Sequence, residues 1–251
     1  MTKISFGQVA KDFEELDYQK TQLGELFLRR RRMLSLGGID VYEVKLGDAF
    51  LMSSLFHDVE VSLSHLGLGE LEGSDWDVVV GGLGLGYTAK AALDYSKVRS
   101  LSVIEALQPV IDWHQRGLVP LGPQLTADPR CRMINGDFFA LATSAKGFDS
   151  AQPGKLWHGI LLDIDHSPSD LLHPRHASFY TTKGLRALAS HLHPGGIFAM
   201  WSDEGPEEDF MAVIDTAFAT VRAYVVTFAN PLLDTNSAST VYVAQKSASS
   251  E

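Results

Sequence analysis

Apolar and polar positions change their spacing along the chain. Up to about Ser54, the short runs GELFLRRRRMLSL, GIDVYEVKL and DAFLMSS alternate in part between apolar and polar residues, and glycines separate them. This alternation predicts a small antiparallel β domain over residues 1–54. From Leu55 to Leu68, apolar residues recur every three or four positions, which predicts a helix.

The rest of the chain alternates short apolar runs with helical patterns. The predicted strands are WDVVVGG, VRSLSVIEA, CRMINGD, HGILLDID, GGIFAMWS, VRAYVVTF and STVYVAQK. Helices are predicted around residues 88–95, 108–118, 177–192 and 207–219, with a short helix after CRMINGD. Such alternation is typical of a mostly parallel sheet with helices on both faces. We therefore expect an α/β domain over residues 55–251, with seven strands and an antiparallel edge formed by the last two.

Composition and charge narrow the class of protein. The chain has 251 residues, 45% of them hydrophobic, and a net charge of −10. The acidic balance argues against a nucleic-acid partner. A single cysteine, Cys131, excludes an internal disulfide and a cysteine zinc cluster. No run approaches the roughly 18 apolar residues of a membrane span, and the start of the chain does not resemble a signal peptide. We expect a cytoplasmic protein without a membrane partner.

A glycine-rich turn is the first candidate for chemistry. Gly82, Gly84 and Gly86 follow a predicted strand and open a predicted helix. Glycines there permit a tight turn and the close approach of a ligand. Glu105 ends the next strand, 19 residues after Gly86, and at this spacing an acid can accept hydrogen bonds from ribose hydroxyls. The pattern predicts a nucleoside site.

Two further strand ends carry acids. Asp137, followed by Phe138, is placed to accept an adenine amino group while the aromatic ring packs on the base; alternatively, Asp137 only caps a helix. Asp163 and Asp165 follow the fourth strand of the α/β domain. Since ligands of such sheets bind at the carboxyl ends of the strands, all these loops are expected to form one pocket. The NGDFF segment favours S-adenosylmethionine over NAD.

The order of these segments resembles a known family. VVVGGLGLG, VIEA, NGDFFA, ILLDIDHSP and FYTTKGLRALASHLHPGGIFAMWS follow one another as in spermidine synthases (polyamine aminopropyltransferases), over most of the chain. The resemblance implies the Rossmann-like class I fold of S-adenosylmethionine-dependent methyltransferases behind a small N-terminal β domain. It implies S-adenosylmethionine or its decarboxylated form as cofactor, methylthioadenosine or S-adenosylhomocysteine as product, and no metal. It also implies a homodimer or homotetramer.

The resemblance assigns roles to individual residues. Those that match the nucleoside-binding positions are Gly82, Gly84, Gly86, Glu105 and Asp137. Asp163 matches the aspartate that faces the attacking amine, and Asp165, on the same loop, is predicted to assist it. His166 falls on the second acid of the family's loop. His166, Asp58 and Glu60 are predicted to bind a small, cationic amine acceptor.

The glycine turn differs from the family in one respect. Family members usually carry an aspartate inside the turn, as in GGGDGG, and Gly84 occupies its place here. That aspartate would repel the carboxylate of intact S-adenosylmethionine, so its absence favours the intact cofactor, whereas the resemblance favours aminopropyl transfer. Aminopropyl and methyl transfer both stay open. A non-catalytic or regulatory nucleoside-binding protein and an NAD-dependent enzyme are the alternatives.

Overall fold

The chain forms two compact units, which meet in sequence between Leu55 and Phe56. A computed structural model describes residues 12–248. Within them, the first unit contains a four-stranded sheet and the second a seven-stranded sheet. Each unit has its own buried residues.

The N-terminal unit is an antiparallel sheet in the order β1-β2-β3-β4. Its strands are β1 Phe13–Thr21, β2 Gly24–Met33, β3 Ile39–Leu46 and β4 Ala49–Ser53. The sequence patterns predicted the runs containing β2, β3 and β4 but missed β1, which is mostly polar. Its acids pair with the arginine run of β2, as Glu14 does with Arg30 at 2.8 Å. Ion pairs with β2 therefore help to stabilise this polar segment as a strand.

The second unit alternates strands and helices. Its elements are α1 Asp58–Gly69, β5 Trp76–Gly81, α2 Tyr87–Leu93, β6 Val98–Glu105, α3 Gln108–Gln115, α4 Gly122–Ala127, β7 Cys131–Asn135, α5 Phe138–Thr143, β8 Trp157–Leu162, α6 Thr182–Ala189, β9 Leu192–Ser202, α7 Glu208–Asp215, β10 Thr220–Asn230 and β11 Thr235–Gln245. The short helix α4 was not predicted, because its six residues are too few to show a period. The predicted helix around 177–192 is wrong in extent. A 3-10 turn, Pro174–Ser178, comes first, and α6 begins only after Thr181, whose hydroxyl accepts from the Gly184 amide at 3.2 Å.

The order of strands in the second sheet is β10-β11-β9-β8-β5-β6-β7. Strands β5 to β9 run parallel, and β11 is antiparallel to both β9 and β10. This confirms the predicted seven-stranded, mostly parallel sheet with an antiparallel C-terminal edge. Every residue of β5 is buried, as expected for a central strand covered on both faces. The strand order reverses between β5 and β8, which places the ligand-binding crevice of such sheets at their carboxyl ends.

Candidate functional site

The glycine turn joins β5 to α2 and has little room for side chains. Gly82 and Gly86 have φ angles of 93° and 94°, in the left-handed region that favours glycine. A Cβ atom on Gly82 would lie 2.0 Å from the carbonyl oxygen of Asp163, and one on Gly86 would lie 2.6 Å from Leu125. The turn is therefore packed against the loop after β8 on one side and against α4 on the other. Leu83 and Leu85, between the glycines, are both only 3% exposed and anchor the turn in the core.

Glu105, at the end of β6, braces this turn. Its Oε2 accepts a hydrogen bond from the Leu83 amide at 3.0 Å, and its Oε1 accepts one from the Leu107 amide at 2.8 Å. Burial raises the pKa of Glu105, and the backbone amides around it partly offset that effect. Four backbone amides, those of Leu83, Gly84, Ala106 and Leu107, thus surround this carboxylate, and the ribose contact stays a prediction.

Asp137 and Phe138 open α5 beside the end of β6. Asp137 is exposed, and its Oδ1 accepts from the Ala140 amide at 3.1 Å as a helix cap. Its Oδ2 has no partner among the described residues, so capping and base recognition are compatible. The ring of Phe138 is 2% exposed and packs under Gly81, where a Cβ would lie 2.5 Å from it. This ring therefore supports the turn from the core, which does not fit the prediction that it stacks on a base.

Asp163 follows β8 directly and points toward α2. Its Oδ2 accepts a hydrogen bond from the Thr88 hydroxyl at 2.5 Å, and its backbone amide donates to Gly81 at 2.8 Å. Burial raises the pKa of Asp163 to about 6, and the charge of Glu105 adds to this effect. A carboxylate with such a pKa can take up a proton near neutral pH.

The first turn of α1 adds a third carboxyl group. The ring of His57 stacks on Tyr87 at 4.3 Å, so the first turns of α1 and α2 lie side by side. The Ser64 hydroxyl donates to the Thr88 carbonyl at 2.7 Å, and Glu60 lies one helical turn before Ser64 on the same face. Burial raises the pKa of Glu60 to about 8, and the charge of Asp163 adds to the effect.

The other predicted acceptor ligand of α1 has a different position. Asp58 is exposed at the start of the helix. It adds to the raised pKa of Glu60 through its charge. Three acids thus surround the space next to the glycine turn: Glu60, Asp163 and Glu105. No arginine or lysine of residues 12–248 forms an ion pair with any of them.

Asp165 is buried and hydrogen-bonded within its own loop, which does not fit its predicted catalytic role. It is 2% exposed, and its oxygens accept from the Leu172 amide, from His176 Nδ1 and from the Tyr180 hydroxyl, at 2.9, 2.8 and 2.9 Å. All its near partners belong to the loop that leads to α6. A carboxylate with this many donors is not free to act on a substrate, so Asp165 fixes the loop that carries Asp163.

His166 lies next to Asp165 but is separate from the carboxyl group of Asp163. Its carbonyl accepts from the Asp203 amide at 2.8 Å, and its ring meets Trp201 edge-on at 6.4 Å. His166 is partly exposed. It therefore lies between the ends of β8 and β9, where it can meet a ligand that extends along the sheet edge.

Four contributing residues escaped the sequence analysis: Thr88, His114, His176 and Tyr180. Tyr180 belongs to the FY pair that carried part of the resemblance, but no pattern indicated its contact with Asp165. The other three are ordinary helix or loop residues in the sequence, and only tertiary contacts reveal them.

In residues 12–248, no group of three or more histidine, cysteine or acidic side chains is arranged to hold a metal ion. None of the helices described there has the length and apolarity to cross a membrane.

The sequence is similar to that of a known enzyme. No protein-family model matches the chain. A polyamine aminopropyltransferase of Sulfolobus acidocaldarius is 27% identical over 213 residues, which are 83% of this chain and 62% of that protein. The chain thus matches less than two thirds of that relative's length.

Solved structures show the same fold. A spermidine synthase from Thermotoga maritima has a TM-score of 0.68 at 15% identity, covering 94% of this chain and 73% of the other. A spermidine synthase in complex with the transition-state analogue AdoDATO has a TM-score of 0.69 at 15% identity, covering 94% and 74%. The chain therefore shares the fold of these spermidine synthases, with a Rossmann-like, mostly parallel seven-stranded sheet and a separate four-stranded antiparallel sheet.

Proposed function

We propose that this protein is an aminopropyltransferase that uses decarboxylated S-adenosylmethionine and a small amine. The observation that carries the proposal is the set of three acids around the glycine turn, Glu60, Asp163 and Glu105, which no basic side chain of the described residues neutralises. Both substrates of such a transfer are cations. A partly buried, negatively charged site stabilises them and disfavours a ligand with its own carboxylate.

Different residues bind different parts of the donor. The glycine turn and Glu105 hold the nucleoside, and Asp137 accepts from the base. Members of the family usually carry an aspartate inside the turn, where this chain has the uncharged Gly84. The acids beside the expected position of the sulfonium group supply the negative charge instead. Glu60, whose pKa is about 8 without ligand, releases its proton when a cation binds beside it. It then supplies the negative charge of the missing turn aspartate, which favours the decarboxylated donor over intact S-adenosylmethionine.

The transfer is an in-line displacement. The nitrogen of the acceptor amine attacks the methylene carbon next to the sulfonium sulfur, and a C–N bond forms as the C–S bond breaks. The electron pair of the broken bond stays on sulfur, so neutral methylthioadenosine leaves. The new ammonium group loses a proton to the Asp163 carboxylate, whose pKa of about 6 suits a base near neutral pH.

Methyl transfer from intact S-adenosylmethionine is the second candidate, and Gly84 is the observation that favours it. The test incubates the protein with either donor and with α,ω-diamines of three to five carbons. Mass spectrometry then identifies the nucleoside product. Methylthioadenosine with an aminopropylated amine supports the proposal, and S-adenosylhomocysteine with a methylated amine overturns it in favour of methyl transfer.

Binding measurements separate the remaining alternatives. Calorimetry measures the affinity of the protein for methylthioadenosine, for each of the two donors and for NAD. Methylthioadenosine binding without turnover of any diamine would indicate a regulatory nucleoside-binding protein. Binding of NAD alone would contradict the whole assignment of the glycine turn.

A further inference from the structure

His114 lies directly beneath the glycine turn. It is fully buried in α3, and its Nε2 is 2.9 Å from the carbonyl oxygen of Gly84. A Cβ atom on Gly86 would come within 2.9 Å of the His114 ring. The imidazole thus fills the space under the turn and contacts the residue that replaces the family's turn aspartate.

The partners of His114 define its tautomer. Burial lowers the pKa of His114, which favours the neutral imidazole. Because a carbonyl oxygen can only accept, Nε2 carries the hydrogen and Nδ1 is left as an acceptor. Nδ1 is buried and has no hydrogen-bond partner within the described part of the chain. An apolar side chain at this position would avoid the free-energy cost of burying the unpaired Nδ1. The hydrogen bond to the Gly84 carbonyl is therefore what a histidine provides here and an apolar residue does not.

The backbone amides of the turn show what that bond controls. Gly82 donates to the Ile104 carbonyl, Leu83 to Glu105, and Gly86 to the Leu83 carbonyl. The amide of Leu85 makes no hydrogen bond with any residue of the described range. In a trans peptide the C=O and the next N–H point to opposite sides. The bond from His114 to the Gly84 carbonyl therefore turns the Leu85 N–H away from α3.

We propose that His114 is a positioning residue of the donor site, which holds the Gly84–Leu85 peptide so that the Leu85 N–H faces an acceptor atom of the bound nucleoside. The inference rests on the proposed function, because the nucleoside is the donor named there. The only hydrogen bond that the His114 ring makes within the described residues is to the Gly84 carbonyl. Its effect reaches the ligand through one peptide group.

A matched pair of variants tests this role. In His114→Gln the side-chain amide places an N–H near the position of Nε2, whereas His114→Met has similar length and no donor. His191→Gln is the control, since His191 is also buried, at 5% exposure, but packs against Phe148 away from the turn. Calorimetry measures methylthioadenosine affinity, thermal unfolding measures stability, and ¹⁵N NMR of histidine-labelled protein reports the protonated ring nitrogen.

The proposal expects His114→Met to weaken methylthioadenosine binding about three- to tenfold, the worth of one neutral hydrogen bond. His114→Gln should restore most of the affinity, and His191→Gln should change stability without changing affinity. The NMR spectrum should show the Nε2–H tautomer. Equal affinity of the Met and Gln variants, or an Nδ1–H tautomer, would overturn the positioning role alone. Absence of methylthioadenosine binding by the unmodified protein would overturn the proposed function and this inference together.

Discussion

At the scale of single residues, Asp163 combines a hydrogen bond, burial and a neighbouring negative charge. The Thr88 hydroxyl donates to it at 2.5 Å and fixes its orientation. Burial and the charge of Glu105 raise its pKa to about 6, so it is ionised at pH 7 but protonates readily. These properties are those of a general base for an amine.

Replacement of Asp163 by Asn should remove the base and keep the shape. We expect turnover with the decarboxylated donor to fall about 10²–10⁴-fold, with methylthioadenosine affinity nearly unchanged. In the unmodified enzyme, kcat/KM should rise with pH through about 6, and this rise should be absent in Asp163→Asn. Asp170→Asn, an exposed position on the same loop, is the control. An equal loss of nucleoside affinity would place Asp163 in the nucleoside site instead.

At the scale of elements, the loop between β8 and α6 is held by one buried acid. Asp165 accepts from His176 and Tyr180, and the His176 ring stacks on Phe139 of α5 at 3.9 Å. Burial and the nearby Asp165 charge raise the pKa of Tyr180 well above its usual value, so its hydroxyl remains a donor. These contacts tie the loop to α5 and thereby keep Asp163 at the carboxyl end of the sheet.

Removal of the Tyr180 hydroxyl should therefore destabilise the protein. A buried hydrogen bond to a charged acceptor contributes about 1.5–3 kcal/mol, and Tyr180→Phe should lower the free energy of unfolding by that amount. Tyr18→Phe is a matched control, because the Tyr18 hydroxyl also donates to a carboxylate, Glu25, but is exposed. Denaturant unfolding measures both variants. Similar small losses in the two would show that Asp165 does not depend on Tyr180.

At the scale of the whole molecule, the buried acids make stability depend on pH. The pKa of Glu60 in the folded protein is about 8, against roughly 4.3 for an unperturbed glutamate. A carboxyl group whose pKa is raised by folding stabilises the folded state below its unfolded pKa, and that contribution is lost as pH rises through the folded value. The protein without ligand should thus lose stability progressively as pH rises from about 5 to about 8.

We expect the melting temperature of the ligand-free protein to fall from about pH 5 to about pH 8 and to level off above that. Glu60→Gln should flatten this fall, whereas Glu72→Gln, at an exposed position, should not. A bound cationic donor should stabilise the protein more as pH rises over the same range, while neutral methylthioadenosine should not show this trend. Differential scanning calorimetry across this range, with uncharged or anionic buffers, checks both statements. A melting temperature that does not change with pH would contradict the raised pKa of Glu60.

The sequence determined the fold class and the positions of the strand ends. Buried strands such as Trp76–Gly81 are mostly apolar, glycines mark the tight turn, and helical patterns separate the strands, so local patterns were sufficient to predict a parallel sheet. They also indicated Glu105, Asp137 and Asp163 as site candidates. Strand β1 and helix α4 were missed because β1 is mostly polar and α4, with six residues, is too short to show a period.

The tertiary structure decided what each side chain does at that edge. Asp163 and Asp165 are equivalent in the sequence, yet one faces Thr88 and the other is enclosed by donors from residues 172–180. The same holds for Phe138, whose ring turns into the core, and for His114, which meets the glycine turn from another helix. Local spacing fixes where a residue stands along its own element, but partners distant in the chain set its burial and its hydrogen bonds. Those partners are brought together only when the elements pack.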